Sequence, residues 1–158
     1  MAILSCCLLV AAYLSPEYGT GMTDGTAWFT AAEGNAILRL SPQGTLSAKT
    51  AVEKPTGIAS DGQSVYVTAG IGGGRLVKMS ADGKVLAETA AGHSPCAPVL
   101  SADCKSAYVL GRFTAEVTEY DAATLAVKRR AKVLREPVAA ARAGGRLFVA
   151  NLLPDGPA

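Results

Sequence analysis

Four aromatic-centred segments recur along the sequence at nearly constant spacing. The aromatic residues Trp28, Tyr66, Tyr108 and Phe148 are 38, 42 and 40 positions apart. Self-similarity at a fixed period of about forty residues indicates a repeat architecture, in which each unit is one supersecondary element stacked on the next. This repeat constrains the fold more than any single motif in the chain.

Other landmarks of the repeat predict short strands joined by tight turns. Apolar stretches that begin at Pro55, Pro95 and Pro137 precede three of the aromatic segments. Third strands are predicted at 36–40, 75–79 and 116–120, and fourth strands at 46–52, 85–90 and 125–133. Asp-Gly and Gln-Gly pairs in the connecting turns supply the positive-φ positions that hairpins need. Four antiparallel strands in about forty residues match one blade of a β-propeller.

We therefore predict an all-β fold, a partial β-propeller of about three and a half four-stranded antiparallel blades within residues 15–158. The predicted blades span about 16–53, 54–93, 94–135 and an incomplete 136–158. Helical repeats are disfavoured, because β-branched and aromatic residues fill the segments and no 3.6-residue stripe persists. Since closed propellers usually have roughly four to eight blades, we expect the rest of the ring to lie outside this chain.

The charge distribution does not point to nucleic acid as a partner. The net charge is only +2, and 18% of the residues are charged. In the predicted strand at 125–133, basic and apolar residues alternate, except that Arg129 lies on the apolar face. The basic face comprises Lys128, Arg130 and Lys132, and the apolar face Leu125, Val127, Ala131 and Val133. Basic residues on an outer edge strand block aggregation, whereas a nucleic-acid surface would also need interleaved aromatic residues.

The first fourteen residues carry no charge. Such a run is too short to span a bilayer but suits the core of a secretory signal, with Val10-Ala11-Ala12 as an acceptable cleavage site. No Lys or Arg precedes the run, and Pro16 falls in register with the later prolines. Residues 1–14 are therefore either a signal remnant or a strand of a preceding blade. The signal interpretation is favoured, and it predicts a periplasmic or extracellular protein without a membrane span.

Catalytic and metal-binding patterns are missing from the sequence. The adjacent Cys6 and Cys7 do not have metal-ligand spacing, and Cys96 and Cys104 flank a predicted strand too long for a disulfide. His93 is the only histidine, which leaves too few ligands for a zinc or facial-triad site. We therefore predict no catalytic residue, no metal and no cofactor.

Four polar residues are candidates for ligand contacts. His93 lies in the connection between the second and third blades, and Arg135 precedes the fourth. Arg112 and Asn151 follow the aromatic-centred strands of blades three and four at comparable places. Scaffolds mount binding residues on such loops, although each residue could instead make local hydrogen bonds. A protein or small-molecule ligand is expected on this face of the propeller.

Parts of the chain resemble known propeller repeats. The run Pro55–Gly62, followed by Val65-Tyr66-Val67-Thr68, resembles the YVTN-type repeat of bacterial surface and periplasmic proteins. The segment 101–109 is similar to the turn of that repeat, with Cys104 where glycine is usual. The first blade is also similar to NHL-type and streptogramin-lyase blades. These resemblances imply a blade, and they do not specify a substrate.

Three functions remain open at the level of sequence. The favoured hypothesis is a non-enzymatic binding or interaction scaffold in an exported bacterial protein. The alternatives are a propeller-type lactonase or lyase, which would need an acidic or histidine cluster contributed by several blades, and the propeller domain of a larger c-type cytochrome-linked protein. The last rests on resemblance of the segments 93–100 and 134–141 to YVTN proteins fused to cytochrome domains. The 158 residues contain no Cys-x-x-Cys-His for haem attachment.

Overall fold

The computed structural model describes residues 18–153, which form fourteen β-strands and no helix. The strands build three four-stranded sheets and one two-stranded sheet, all antiparallel, and sequential strands are neighbours in each sheet. The predicted all-β arc of about three and a half blades is confirmed. The predicted signal or strand at residues 1–14 lies outside the described residues.

The strand bounds follow the sequence repeat closely. The first blade contains β1 (Gly19–Gly21), β2 (Ala27–Ala31), β3 (Ala36–Leu40) and β4 (Leu46–Ala51). The second contains β5 (Pro55–Ser60), β6 (Ser64–Ala69), β7 (Arg75–Ser80) and β8 (Val85–Ala90). The third contains β9 (Pro95–Leu100), β10 (Ser106–Gly111), β11 (Glu116–Asp121) and β12 (Val127–Lys132). The fourth contains β13 (Pro137–Ala143) and β14 (Arg146–Asn151).

The first strands of successive blades lie side by side and form the inner edge of the arc. Strands β1, β5, β9 and β13 contact one another in that order, so β4, β8 and β12 lie outermost. The hydroxyl of Thr56 donates to the carbonyl of Pro95 in the next blade. Cys96 repeats this contact one blade later, with its Sγ 3.6 Å from the carbonyl oxygen of Pro137.

An apolar core fills each of the first two interfaces between blades. Trp28 and Ile37 of the first blade pack with Val65, Val67 and Met79 of the second. In the next interface, Tyr66 and Leu76 pack with Ala107, Val109 and Tyr120. Trp28 and Tyr66, the central aromatic residues of β2 and β6, therefore point at the following blade. Removing this apolar surface from water favours the stacked arrangement.

Trp28 and Tyr66 also reach the turn between the third and fourth strands of the following blade. A Cβ at Gly83 would lie 3.6 Å from the Trp28 ring. Tyr66 Oη lies 3.0 Å from the carbonyl oxygen of Ala122, which also accepts from Lys78 Nζ at 2.9 Å. Burial, and then the charge of Asp61, raise the pKa of Tyr66, so its hydroxyl stays protonated and able to donate.

One prediction for β12 is wrong, because this strand contains a β-bulge. Val127 pairs with Tyr120, whereas Arg129 pairs with Glu119, so one extra residue of β12 lies between the two pairs. Val127 therefore lies on the side of the second blade, and Arg129 and Ala131 on the other. The prediction that Val127 and Ala131 share a face was wrong, because the bulge interrupts strict alternation.

Candidate functional site on the loop face

One end of the arc collects two kinds of connection, which together form a surface that we call the loop face. It consists of the loops after the second strands and the connections that precede the first strands. A repeated hydrogen bond holds the two together, from Gly70 N to Lys54 O (2.8 Å), Arg112 N to Ser94 O (3.3 Å) and Leu152 N to Glu136 O (3.0 Å). The three acceptors precede prolines and share left-handed φ values of 45°, 48° and 49°. Such strained backbone persists only where the surrounding structure enforces it.

A cavity of about 380 Å³ opens on this face where it meets the inner edge. Thr56, Pro95 and Cys96 contribute to its lining from the inner strands. The loop residues that line it are Tyr18, Ile71, Ser94, Arg112 and Phe113. Its size is within the range of small-molecule sites, and its lining is mostly apolar with a few polar groups.

Arg112 is the main charged group of this cavity. Its Nε and Nη2 lie 3.3 and 3.0 Å from Glu136 Oε2, and its guanidinium carbon lies 5.3 Å from the centroid of the Phe113 ring. Within residues 18–153, its Nη1 makes no hydrogen bond. The ion pair and the ring hold the guanidinium in one place while leaving a donor open to a ligand.

Phe113 links Arg112 to His93. The two rings meet edge to face, with centroids 5.2 Å apart and an interplanar angle of 81°. The Oγ of Ser94 lies 3.3 Å from Nδ1 of His93, which orients the exposed imidazole. His93 and Arg112, which are 19 positions apart in the sequence, therefore meet at one aromatic ring.

The structure brings three of the four candidate residues together. Arg135 and Arg112 both line a second, smaller cavity of about 160 Å³ beside the first. Asn151 is the last residue of β14, and its Nδ2 donates to Val149 O at 3.2 Å. Leu152, one position further, occupies the place equivalent to Arg112. The prediction that Arg112 and Asn151 hold comparable places was therefore wrong by one residue.

Sequence reasoning missed the apolar residues of the loop face. Ile71 and Phe113 are 65% and 56% exposed, and Leu153 is also exposed. Each lies five residues after the central aromatic residue of its blade, namely Tyr66, Tyr108 and Phe148. Alignment of the loops on those aromatic residues would have found them.

Two titratable groups beside the cavity are held by burial or by an ion pair. Burial raises the pKa of the Cys96 thiol, with Arg112 opposing it, so Cys96 remains a protonated donor to Pro137. Glu136 is held in its ion pair with Arg112. Among the described residues, no three His, Cys, Asp or Glu side chains are grouped to hold a metal ion.

Comparison with known proteins shows the fold alone. No protein-family model and no curated protein matches this sequence. Virginiamycin B lyase from Staphylococcus aureus superposes with a TM-score of 0.71 at 17% identity, over 87% of this chain and 49% of that one. Hydrazine synthase of Kuenenia stuttgartiensis gives a TM-score of 0.73 at 19% identity, over 80% and 38%.

A chain of the nidogen–laminin complex gives a TM-score of 0.66 at 20% identity, over 80% of this chain and 51% of that one. The chain thus spans about half or less of the length of these structures. Its blades and these superpositions place it in the β-propeller class. Propellers in this comparison include an enzyme and a protein from a complex, so the class leaves the function open. No helix in residues 18–153 is long and apolar enough to cross a membrane.

Proposed function

We propose that this chain is a non-enzymatic binding module whose loop face takes a protein or small-molecule ligand. The observation that carries the proposal is the group of exposed apolar residues around the 380 Å³ cavity, at equivalent positions of successive blades. Contiguous exposed apolar surface is uncommon on soluble proteins and marks sites of interaction. Ile71 and Phe113 are its centre.

The cavity favours a ligand group that combines an apolar ring with a carboxylate. Phe113 and Ile71 supply apolar contacts, and the open Nη1 of Arg112 supplies a donor. Arg112, Arg135 and Glu136 together carry a formal charge of +1, from two guanidinium groups and one carboxylate. A carboxylate in the ligand matches this charge and the planar guanidinium.

We also propose that the protein is an exported member of the YVTN-type repeat proteins. The uncharged run at residues 1–14 and the Pro55–Thr68 repeat support this proposal. A periplasmic or extracellular location places the loop face within reach of partners outside the cytoplasm.

The test uses 2-naphthoate as the probe and 2-naphthamide as its neutral analogue, followed by NMR of backbone amides. We expect saturable shifts at residues 70–74 and 112–115 with 2-naphthoate, and binding about tenfold weaker for 2-naphthamide, an effect of about 1.4 kcal/mol. Phe113→Ser is expected to abolish the shifts. Phe148→Ser is the matched control, because Phe148 is also 56% exposed but lies outside the cavity lining.

An absence of chemical-shift changes at the loop face would contradict the proposal. So would an equal loss of 2-naphthoate binding in Phe113→Ser and Phe148→Ser.

The lactonase or lyase and the cytochrome-linked alternatives are less well supported. Cys96 is protonated and Glu136 is paired, so neither is a ready general base at the cavity. Turnover of a lactone or of virginiamycin B that requires His93 would instead favour the enzyme alternatives.

A further inference from the structure

The β6–β7 loop, residues 70–74, differs from the equivalent loops of the first and third blades. It has five residues, whereas the loops after β2 and β10, at 32–35 and 112–115, have four. Four of its five residues are glycine, and the fifth is Ile71. The loop belongs to the loop face, and Ile71 lines the 380 Å³ cavity.

Both ends of this loop are fixed. Gly70 N donates to Lys54 O at 2.8 Å, and Gly74 N donates to Gly92 O at 2.7 Å. Gly74 also lies so close to Pro95 that a Cβ at position 74 would overlap the proline ring. The loop therefore cannot move as a whole.

The three residues between these ends lack such bonds. Within residues 18–153, the amide groups of Ile71, Gly72 and Gly73 donate no hydrogen bond. A Cβ built at position 72 or 73 would meet no atom within 4 Å, so neither position is packed against the rest of the protein. Glycine adopts a wider range of backbone conformations than other residues. The segment 71–73 can therefore change its conformation while positions 70 and 74 stay in place.

The equivalent loops of the neighbouring blades are held by hydrogen bonds of their own. In the first blade, Asn35 N donates to Ala32 O at 3.2 Å, and Asn35 Oδ1 accepts from Lys54 N at 2.8 Å. In the third blade, Thr114 Oγ1 donates to Gly111 O at 3.3 Å. Of these three described loops, only the β6–β7 loop combines fixed ends with an unbonded centre.

The position of Ile71 gives a movement of this segment a consequence. Its side chain is 65% exposed, although it lies beside a mostly apolar cavity that Tyr18 and Phe113 also line. If residues 71–73 fold over an aromatic ring in the cavity, Ile71 and the ring are removed from water together, which the hydrophobic effect favours. Loops that close over a bound ligand use a few hinge residues in the same way.

We propose that residues 71–73 form a lid that closes over the 380 Å³ cavity when a small aromatic carboxylate binds there. Arg112 binds the carboxylate, and Ile71 covers the ring. This inference rests on the proposed function and narrows it, because a ligand that is enclosed by a lid cannot remain attached to a protein chain. The ligand of the cavity is therefore a small molecule.

The first test measures amide hydrogen exchange at residues 71–73 of the full 158-residue protein, free and saturated with 2-naphthoate. Exposed amides without a hydrogen bond exchange rapidly, so closure should slow these three by about tenfold. The amides of Gly144 and Gly145, in the β13–β14 turn, are the internal control and should not change.

The second test compares 2-naphthoate with the same probe tethered through its second ring to a flexible peptide. We expect the tethered probe to bind about tenfold more weakly, because the peptide prevents closure of the lid. In the variant Ile71→Ser, the two probes should bind about equally, since the lid then has no apolar side chain to bury. Leu86→Ser is the matched control and should keep the tenfold ratio, because Leu86 is 52% exposed on β8 and lies outside the cavity lining.

Chemical-shift changes at residues 112–115 without slower exchange at 71–73 would overturn the lid and leave the proposed function standing. Equal binding of the free and tethered probes by the unsubstituted protein would do the same, as would an unchanged ratio in Ile71→Ser. If 2-naphthoate changes no chemical shift on the loop face, the proposed function fails and the lid fails with it.

Discussion

The interface between the second and third blades is closely packed, whereas the interface between the third and fourth blades contains a cavity. Equivalent residues contribute to both interfaces. Tyr66 and Leu76 are fully buried in the former. In the latter, the equivalent residues Tyr108 and Val117 line a cavity of about 270 Å³. The difference lies in the third strand of the later blade, which is present as β11 in one interface and is not among the described residues in the other.

The second strand of one blade is therefore not sufficient to bury the aromatic residue of the preceding blade. Tyr108 follows the same repeat as Tyr66, yet it is only partly buried where Tyr66 is 1% exposed. Phe148, which has no following blade among residues 18–153, is 56% exposed. In repeat architectures, stability comes largely from such nearest-neighbour interfaces. Equivalent substitutions in the two regions should therefore have unequal costs.

The largest difference is expected between Tyr66→Ala and Phe148→Ala. Loss of the buried Tyr66 ring should lower the free energy of unfolding by about 3–5 kcal/mol, because it leaves a cavity in a packed core. Loss of the exposed Phe148 ring should change it by less than about 0.5 kcal/mol. Urea denaturation of both variants measures the difference. Similar losses would show that the two regions are equally packed.

A smaller difference is expected between Tyr66→Phe and Tyr108→Phe. The first removes the hydroxyl that contacts Ala122 and Asp61 and should cost about 1 kcal/mol, the usual net value of one hydrogen bond. The second removes a hydroxyl that interacts with the exposed Arg129 side chain at the edge of a cavity, and it should cost less than about 0.5 kcal/mol. Thermal unfolding of the pair checks this order, and a larger loss in Tyr108→Phe would reverse the comparison.

The smallest expected effect is a difference in acid sensitivity. Hydrogen bonds from Thr124 lower the pKa of Asp121 to about 2, and Ser101 lowers that of Asp103. Because these folded-state pKa values lie below the unfolded value of about 3.9, the stabilisation is present above pH 4 and is lost as the pH falls towards 2. The β13–β14 turn contains Gly144 and Gly145 and no carboxylate. Hydrogen exchange at pH 2.5 should therefore accelerate at residues 101–106 and 121–126 more than at 143–146.

Much of the blade framework could be predicted from the sequence. The predicted strands at 36–40 and 85–90 match β3 and β8 residue for residue. Strands and turns depend on local alternation and on glycines with positive φ, such as Gly83, and both are visible in sequence. The prediction for β12 failed at its bulge, because its register depends on pairing with β11.

The candidate site could be predicted only in part. His93, Arg112 and Arg135 were found because they lie in loops after or before predicted strands. Their meeting around Phe113 was not predicted, since it depends on the pairing of β9 with β10, which places Ser94 O beside Arg112 N, and on the packing of the loop side chains.

By itself, then, the sequence determined the period, the strands and the turns, because these depend on contacts within a single blade of about forty residues. Which loops converge on the 380 Å³ cavity, and which aromatic residues are buried, depends on the tertiary structure. The physical reason is that both depend on radial stacking, in which residues from different repeats come into contact over long separations in sequence.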